Sequence, residues 1–287
     1  MIAVMKHELR SYLHSLTAYI FWAATMIFMG IGTMLYNITA GYANFEYVLS
    51  FACIGMCILI PVLTMRLIAD ERRQKTDQLL YSLPLSMTKI VLGKFLAAFI
   101  VFLIPMIIVS FYPLVYAQFG DVYLPTSYGS IVAFILMCAA LITIGEFISS
   151  LTENQGFAAG ISIAFFLLNF YVVTLAEYVS TSAFGSLVVL CIIWVILGLL
   201  IDFLTKNDNV SFGIAIVLVL ATGVVYFIDS TKFESLIPNI MSQISLFERF
   251  YTIVSGVFDL TVLVYYITVI IFFLFLTVQS LEKRRYN

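Results

Sequence analysis

Few residues in this chain have the type and spacing for chemistry, and their placement excludes most familiar kinds. Both histidines, His7 and His14, fall within the first 14 residues, which excludes an HExxH metal site or a histidine relay within an apolar segment. The four cysteines, Cys53, Cys57, Cys138 and Cys191, lie inside apolar runs. Cys53 and Cys57 are spaced to share a helix face, yet the set reads as small hydrophobes rather than a disulfide framework or a zinc site. A phosphate loop needs GxxxxGK[ST], but Gly93-Lys94 is followed by Phe95, so any ATP-driven work must come from another polypeptide. No nucleophile and base pair suits a membrane hydrolase, and the chain is not expected to be an enzyme. What remains is Arg66, Glu146 and Asn169 within apolar segments, and one charged stretch, RLIADERRQKTDQLLYSLPLSMTKIVLGK, at 66–94. An ionisable residue such as Glu146 is costly in an apolar segment and is a functional candidate by default. Its bland alternative is a structural pair with Arg66 at similar depth. Asn169 is read as a packing hydrogen-bonder or a path-lining residue.

The elements that must position these residues follow from composition. Of 287 residues, 63% are hydrophobic and only 10% charged, with mean hydropathy +1.09. Soluble domains are about 45–50% apolar and 25% charged, so this surplus belongs in a membrane. The net charge of -2 gives no argument for a nucleic-acid partner. A bilayer core of about 30 Å takes roughly 20 helical residues. Eight runs meet that length, centred on 18–36, 47–67, 95–117, 128–150, 157–177, 184–201, 211–228 and 260–280. They are continuous rather than alternating, which favours helices over a barrel. The expectation is an all-α integral membrane protein with membrane lipids around a single domain over 1–287. With both termini cytoplasmic, the inner segments and Arg66 hold 12 of the 14 Lys and Arg, leaving only Lys232 and Arg249 outside.

Residues 1–17 show a helical period. Ile2, Met5, Leu9, Tyr12, Leu13 and Leu16 share one face, Lys6, His7, Arg10, Ser11 and His14 the other, with Val4 the exception. That pattern predicts an amphipathic interfacial helix. The segment 229–259 is too apolar for a solvated loop and too charged for a span. It predicts two short outer-leaflet helices broken near Pro238 and Gly256.

Within the charged stretch, Asp70 and Glu71 precede Arg72, Arg73 and Lys75, in agreement with a helix dipole. Glu71 with Lys75 and Arg73 with Asp77 are i,i+4 pairs. Thr76, Leu79, Leu80 and Leu83 then recur at helical spacing until Pro84 ends the helix. A topology signal accounts for the cations. It does not require an apolar stripe, and the helix over 70–83 therefore reads as a docking element.

The run ADERRQKTDQLLYSLPLSMTKIVLGKFLAA resembles the signature of ABC-2 type transporter permeases. Thr76, Asp77, Leu79, Leu80, Pro84 and Ile90 to Phe95 match it, while Lys75 stands where Gly is common. KHELRSYLHSLTAYI resembles the family's N-terminal segment, although Leu16 and Thr17 replace the usual Pro pair. SSLTENQGFAAG resembles the link between its fourth and fifth spans. The end of the chain, from SLFERFYTIVSG to LEKRR, resembles the gliding-motility-associated branch. The resemblance implies a transmembrane subunit that pairs with a second permease subunit, as a homo- or heterodimer, and with separate ABC ATPase subunits carrying ATP and Mg. It implies that 70–83 docks on the ATPase, and that 184–228 adds a hairpin to a six-span core. The rival readings from the residues are a secondary transporter or channel, or a permease-like scaffold.

Overall fold

A computed structural model describes residues 1–76, 86–205, 208–257 and 259–286. Every regular element among them is helical. Among the described residues six helices are long and apolar enough to cross a membrane: Leu16–Thr39, Glu46–Arg73, Met87–Tyr116, Leu124–Leu151, Gln155–Ala176 and Leu260–Arg284. Two further apolar helices, Ala183–Thr205 and Asp208–Ile228, stand where the added hairpin was expected.

In chain order the helices are α1 (Ile2–His14), α2 (Leu16–Gly32, continued by a π-helical turn Thr33–Thr39), α3 (Glu46–Thr64), α4 (Ala69–Arg73), α5 (Met87–Val109) and α6 (Tyr112–Tyr116). They are followed by α7 (Leu124–Leu151), α8 (Gln155–Ala176), α9 (Ala183–Thr205), α10 (Asp208–Ile228), α11 (Leu236–Ile244), α12 (Leu246–Val254) and α13 (Leu260–Tyr286). They form two compact units, Met1–Phe170 with Arg249–Asn287, and Tyr171–Glu248.

The first unit is built on α7, whose span is 78% buried, the most enclosed of the six. It packs against α3 and α13. The α3–α7 pair is parallel and holds one register throughout. Ser127 Oγ donates to Glu46 Oε1 at 2.9 Å, Gly145 abuts Thr64, and Ser149 Oγ accepts from the Ile68 N–H, each pairing residues 81 apart. Gly145 makes this approach feasible, since a Cβ there would run into the Thr64 side chain. Small residues at a contact of this kind let membrane helices come close where no hydrophobic force drives them together.

Proline placement follows the same economy of backbone hydrogen bonds. Pro61 and Pro105 lie inside unbroken helices, whereas Pro113 falls at the start of α6, after the chain turns at 110–111. Pro105 lacks the N–H that would serve the Val101 carbonyl. The indole N–H of Trp22 on α2 donates to that carbonyl at 2.8 Å.

In the second unit α9 packs on α10. A 3-10 turn, Ser230–Phe233, follows, its Phe233 ring meeting Tyr226 edge to face at 5.5 Å. The two short helices expected over 229–259 are α11 and α12, but the break falls at Ser245 rather than Pro238. Pro238 occupies the first turn of α11, where no intrahelical N–H bond is lost. Ser245 Oγ accepts from the Glu248 N–H at 3.1 Å and so caps α12. Gly256, with φ 90°, closes that helix.

Candidate functional site: a buried ion cluster at the charged end

The sequence-predicted charged residues gather where α3 ends, α4 begins and α1, α5 and α7 converge. The chain bends at 65–68 between α3 and α4, which strands backbone donors and acceptors. One hydroxyl satisfies three of them. Ser149 Oγ accepts from the N–H groups of Ile68 and Ala69 at 3.2 and 3.1 Å, and donates to the Met65 carbonyl at 3.1 Å.

Lys94 sits at the centre and is 1% exposed. An ammonium has three donors, and Lys94 Nζ uses all of them. It reaches Glu8 Oε1 at 2.8 Å, Glu71 Oε1 at 2.7 Å and the Leu67 carbonyl at 2.8 Å. The cation ties α1, α4 and the end of α3 to α5. Gly93, its neighbour, eases the approach of α1, because a Cβ there would press on Val4 at 3.0 Å and on the Met1 carbonyl at 3.1 Å. Farther along α1, Tyr12 is buried and donates its hydroxyl to the Leu63 carbonyl at 2.7 Å. Burial pushes the Tyr12 phenol well above the ordinary tyrosine range, and the nearby Glu8 charge adds to the shift.

The face of α1 that packs is thus Val4, Glu8 and Tyr12, an i,i+4 series. Val4, the exception on the amphipathic wheel, is a contact residue. Ile2, Leu13 and Leu16 remain exposed, as do Lys6, His7, Arg10, Ser11 and His14. Sequence reasoning passed over Glu8 and counted Lys94 among the topology-setting cations and the family-like run Ile90 to Phe95, without a buried role. The i,i+4 spacing of Glu8 with Tyr12 and Val4 was the available clue.

Several expectations are corrected. Glu146 does not pair with Arg66. Arg66 Nη1 donates to Thr17 Oγ1 at 2.8 Å and its other terminal nitrogen lies 3.7 Å from Asp70. Glu146 is fully buried on α7, and neither carboxyl oxygen has a hydrogen-bond partner among the described residues. The charges that act on it are those of Lys94 and Glu8. The i,i+4 pair of Glu71 with Lys75 is likewise replaced, since Glu71 turns inward to Lys94.

The helix expected over 70–83 stops at Arg73. Lys75 is left-handed, with φ 57°. The Lys75 N–H donates to the Arg72 carbonyl at 3.1 Å and the Thr76 N–H to the Glu71 carbonyl at 3.0 Å. This paired bonding closes a helix when the residue after its end is left-handed, a place glycine usually takes. It explains why Gly is common at that position in the pattern the sequence resembles. Arg72 is buried, while Arg73, Gln74, Lys75 and Thr76 are exposed. Asp77, Leu79, Leu80 and Leu83, with the Arg73–Asp77 pair, lie outside the described residues. Asn169 is buried on α8. Among the described residues no group of His, Cys, Asp and Glu could hold a metal ion.

Among the described residues the arrangement joins an exposed charged segment to α5 through Lys94 and to α7 through Ser149. The family model described as ABC-2 family transporter protein matches residues 23–182, more than half of the chain. No curated protein matches it.

Proposed function

Since the chain belongs to the ABC-2 family of transporter proteins, we propose that it is the membrane-spanning subunit of an ATP-driven exporter. It resides in the cell membrane with both termini cytoplasmic, and two permease subunits, identical or mixed, line the path. Separate ATPase subunits bring ATP and Mg and dock on the segment that begins at Asp70. At its C-terminal end the chain resembles the gliding-motility-associated branch of the family.

The observation that carries this reading is the saturated ammonium of Lys94. A segment that serves only as a topology signal needs no buried ion cluster. Here α4 is anchored through Glu71 to α5, and through the bend at 65–68 to Ser149 of α7. A push on the segment reaches the spans instead of dissipating in a loop. Among the described residues, the exposed Arg73, Gln74, Lys75 and Thr76 belong to that docking surface.

The test is purification of the full chain from its native membrane, with the eluate probed for a co-purifying ATPase that carries a phosphate loop. The double reversal Arg73→Glu with Lys75→Glu should strip the ATPase while leaving the melting temperature of the permease unchanged. ATPase retention at the wild-type level by that variant would show that the motor holds on elsewhere.

A further inference from the structure

Three span ends meet on the first unit at a groove of about 560 Å³, a volume in the range of small-molecule sites. The last turn of α7, the first turns of α8 and the end of α13 enclose it. Its lining is of two kinds. Ile148, Phe157 and Ile161 are its apolar part, and Glu153, Asn154 and Arg284, at the span ends, are its polar mouth. Phe157 and Ile161 are largely exposed although they line a concavity. The polarity changes where the spans end, at Leu151 for α7 and at Arg284 for α13. The gradient therefore runs along the direction in which a membrane lipid changes from headgroup to acyl chain.

The charge at the mouth selects among lipids. Arg284 Nη1 lies 3.6 Å from Glu153 Oε1, and both side chains are solvated, at 41% and 68% exposure. A pair that long and that exposed is weak. It leaves a planar guanidinium, which matches a phosphate with two parallel donors, facing the groove mouth. Lys283 precedes it and is exposed. Asn154 Oδ1 is already engaged by the Gly156 and Phe157 N–H groups, so it shapes the mouth and does not compete for the ligand.

We infer that this groove binds an anionic phospholipid, with the phosphate on Arg284 and an acyl chain along Phe157 and Ile161. The inference stands independently of ATPase docking. Glu153 is the internal competitor: it holds the guanidinium when no lipid is present.

The experiment is native mass spectrometry of the purified full chain in detergent, titrated with dioleoyl-phosphatidylglycerol or with dioleoyl-phosphatidylcholine. Wild-type protein should retain the anionic lipid preferentially. Arg284→Gln should weaken that retention about fivefold, the loss of one basic contact near a membrane surface. Glu153→Gln should strengthen it, because the competing carboxylate is gone. Equal retention of both lipids by wild type, or no response to either variant, would overturn the site. Displacement of the lipid by inorganic phosphate alone would overturn the acyl-chain half of the assignment. Phe157→Ala, which leaves every charge in place, should shorten retention of both lipids.

Discussion

Trp22 donates its indole N–H to the carbonyl of Val101 at 2.8 Å, four residues before Pro105. The bond repairs, from a neighbouring helix, a vacancy that proline makes in its own. Trp22→Phe should therefore lower stability by about 1 kcal/mol, the scale of an interhelical hydrogen bond in a membrane. In a Pro105→Ala background the helix supplies its own donor, and the same substitution should cost much less. A thermal double-mutant cycle in detergent reads the difference; equal costs in both backgrounds would show that Trp22 acts by packing alone.

Lys94 offers a second cycle. Removing one partner of a buried ion pair costs about 3–5 kcal/mol because the other charge stays behind. Lys94→Met should be strongly destabilising, and adding Glu8→Gln with Glu71→Gln should recover much of the loss. Melting temperatures of the single and triple variants check this.

Lys75→Gly should stabilise the protein. A left-handed backbone costs a non-glycine residue about 1–2 kcal/mol, and glycine gives back part of that through its freer unfolded chain. A net gain of about 0.5–1 kcal/mol is expected, measured by thermal unfolding. A loss would mean that the Lys75 side chain makes contacts worth more than the strain.

Tyr12 predicts an alkaline limit. Burial raises its folded-state pKa above the ordinary value near 10. The unfolded state then loses its proton first, so this contribution is intact below about pH 10 and declines above it by about 1.4 kcal/mol per pH unit. Tyr12→Phe should start less stable, having lost the bond to Leu63, and should show a flatter decline. Unfolding monitored from pH 8 to 11 distinguishes the two slopes.

Glu146→Gln should fold and assemble normally, since neither carboxyl oxygen holds a partner in place among the described residues. Transport should fall if the carboxyl is used during the cycle. Unchanged transport with normal assembly assigns Glu146 to packing.

The helices were legible because a membrane span writes itself as a long apolar run, and the resemblance to a six-span core set apart the pair at 184–228. The charged stretch was legible as a place. Its partners were not, because a helical period shows which residues share a face and says nothing of what meets that face. Glu8 and Lys94 are 86 residues apart, and no local spacing links them. Arg66 looked matched to Glu146 by depth, yet depth does not fix azimuth: Arg66 faces α2 through Thr17. The end of α4 was hidden for another reason. Lys is a good helix former, and only its backbone angle shows that it takes the place of a glycine.

The constant α3–α7 register and the docking of α1 also set an order of events during synthesis. Tyr12 can find the Leu63 carbonyl once the second span has emerged. The contacts of Val4 with Gly93 and of Glu8 with Lys94 wait until the third span is made. Lys94 is thus made after both of its carboxylates, Glu8 and Glu71. The nascent chain has its counter-ions ready before the cation arrives, and the first helix seats only when the third is delivered.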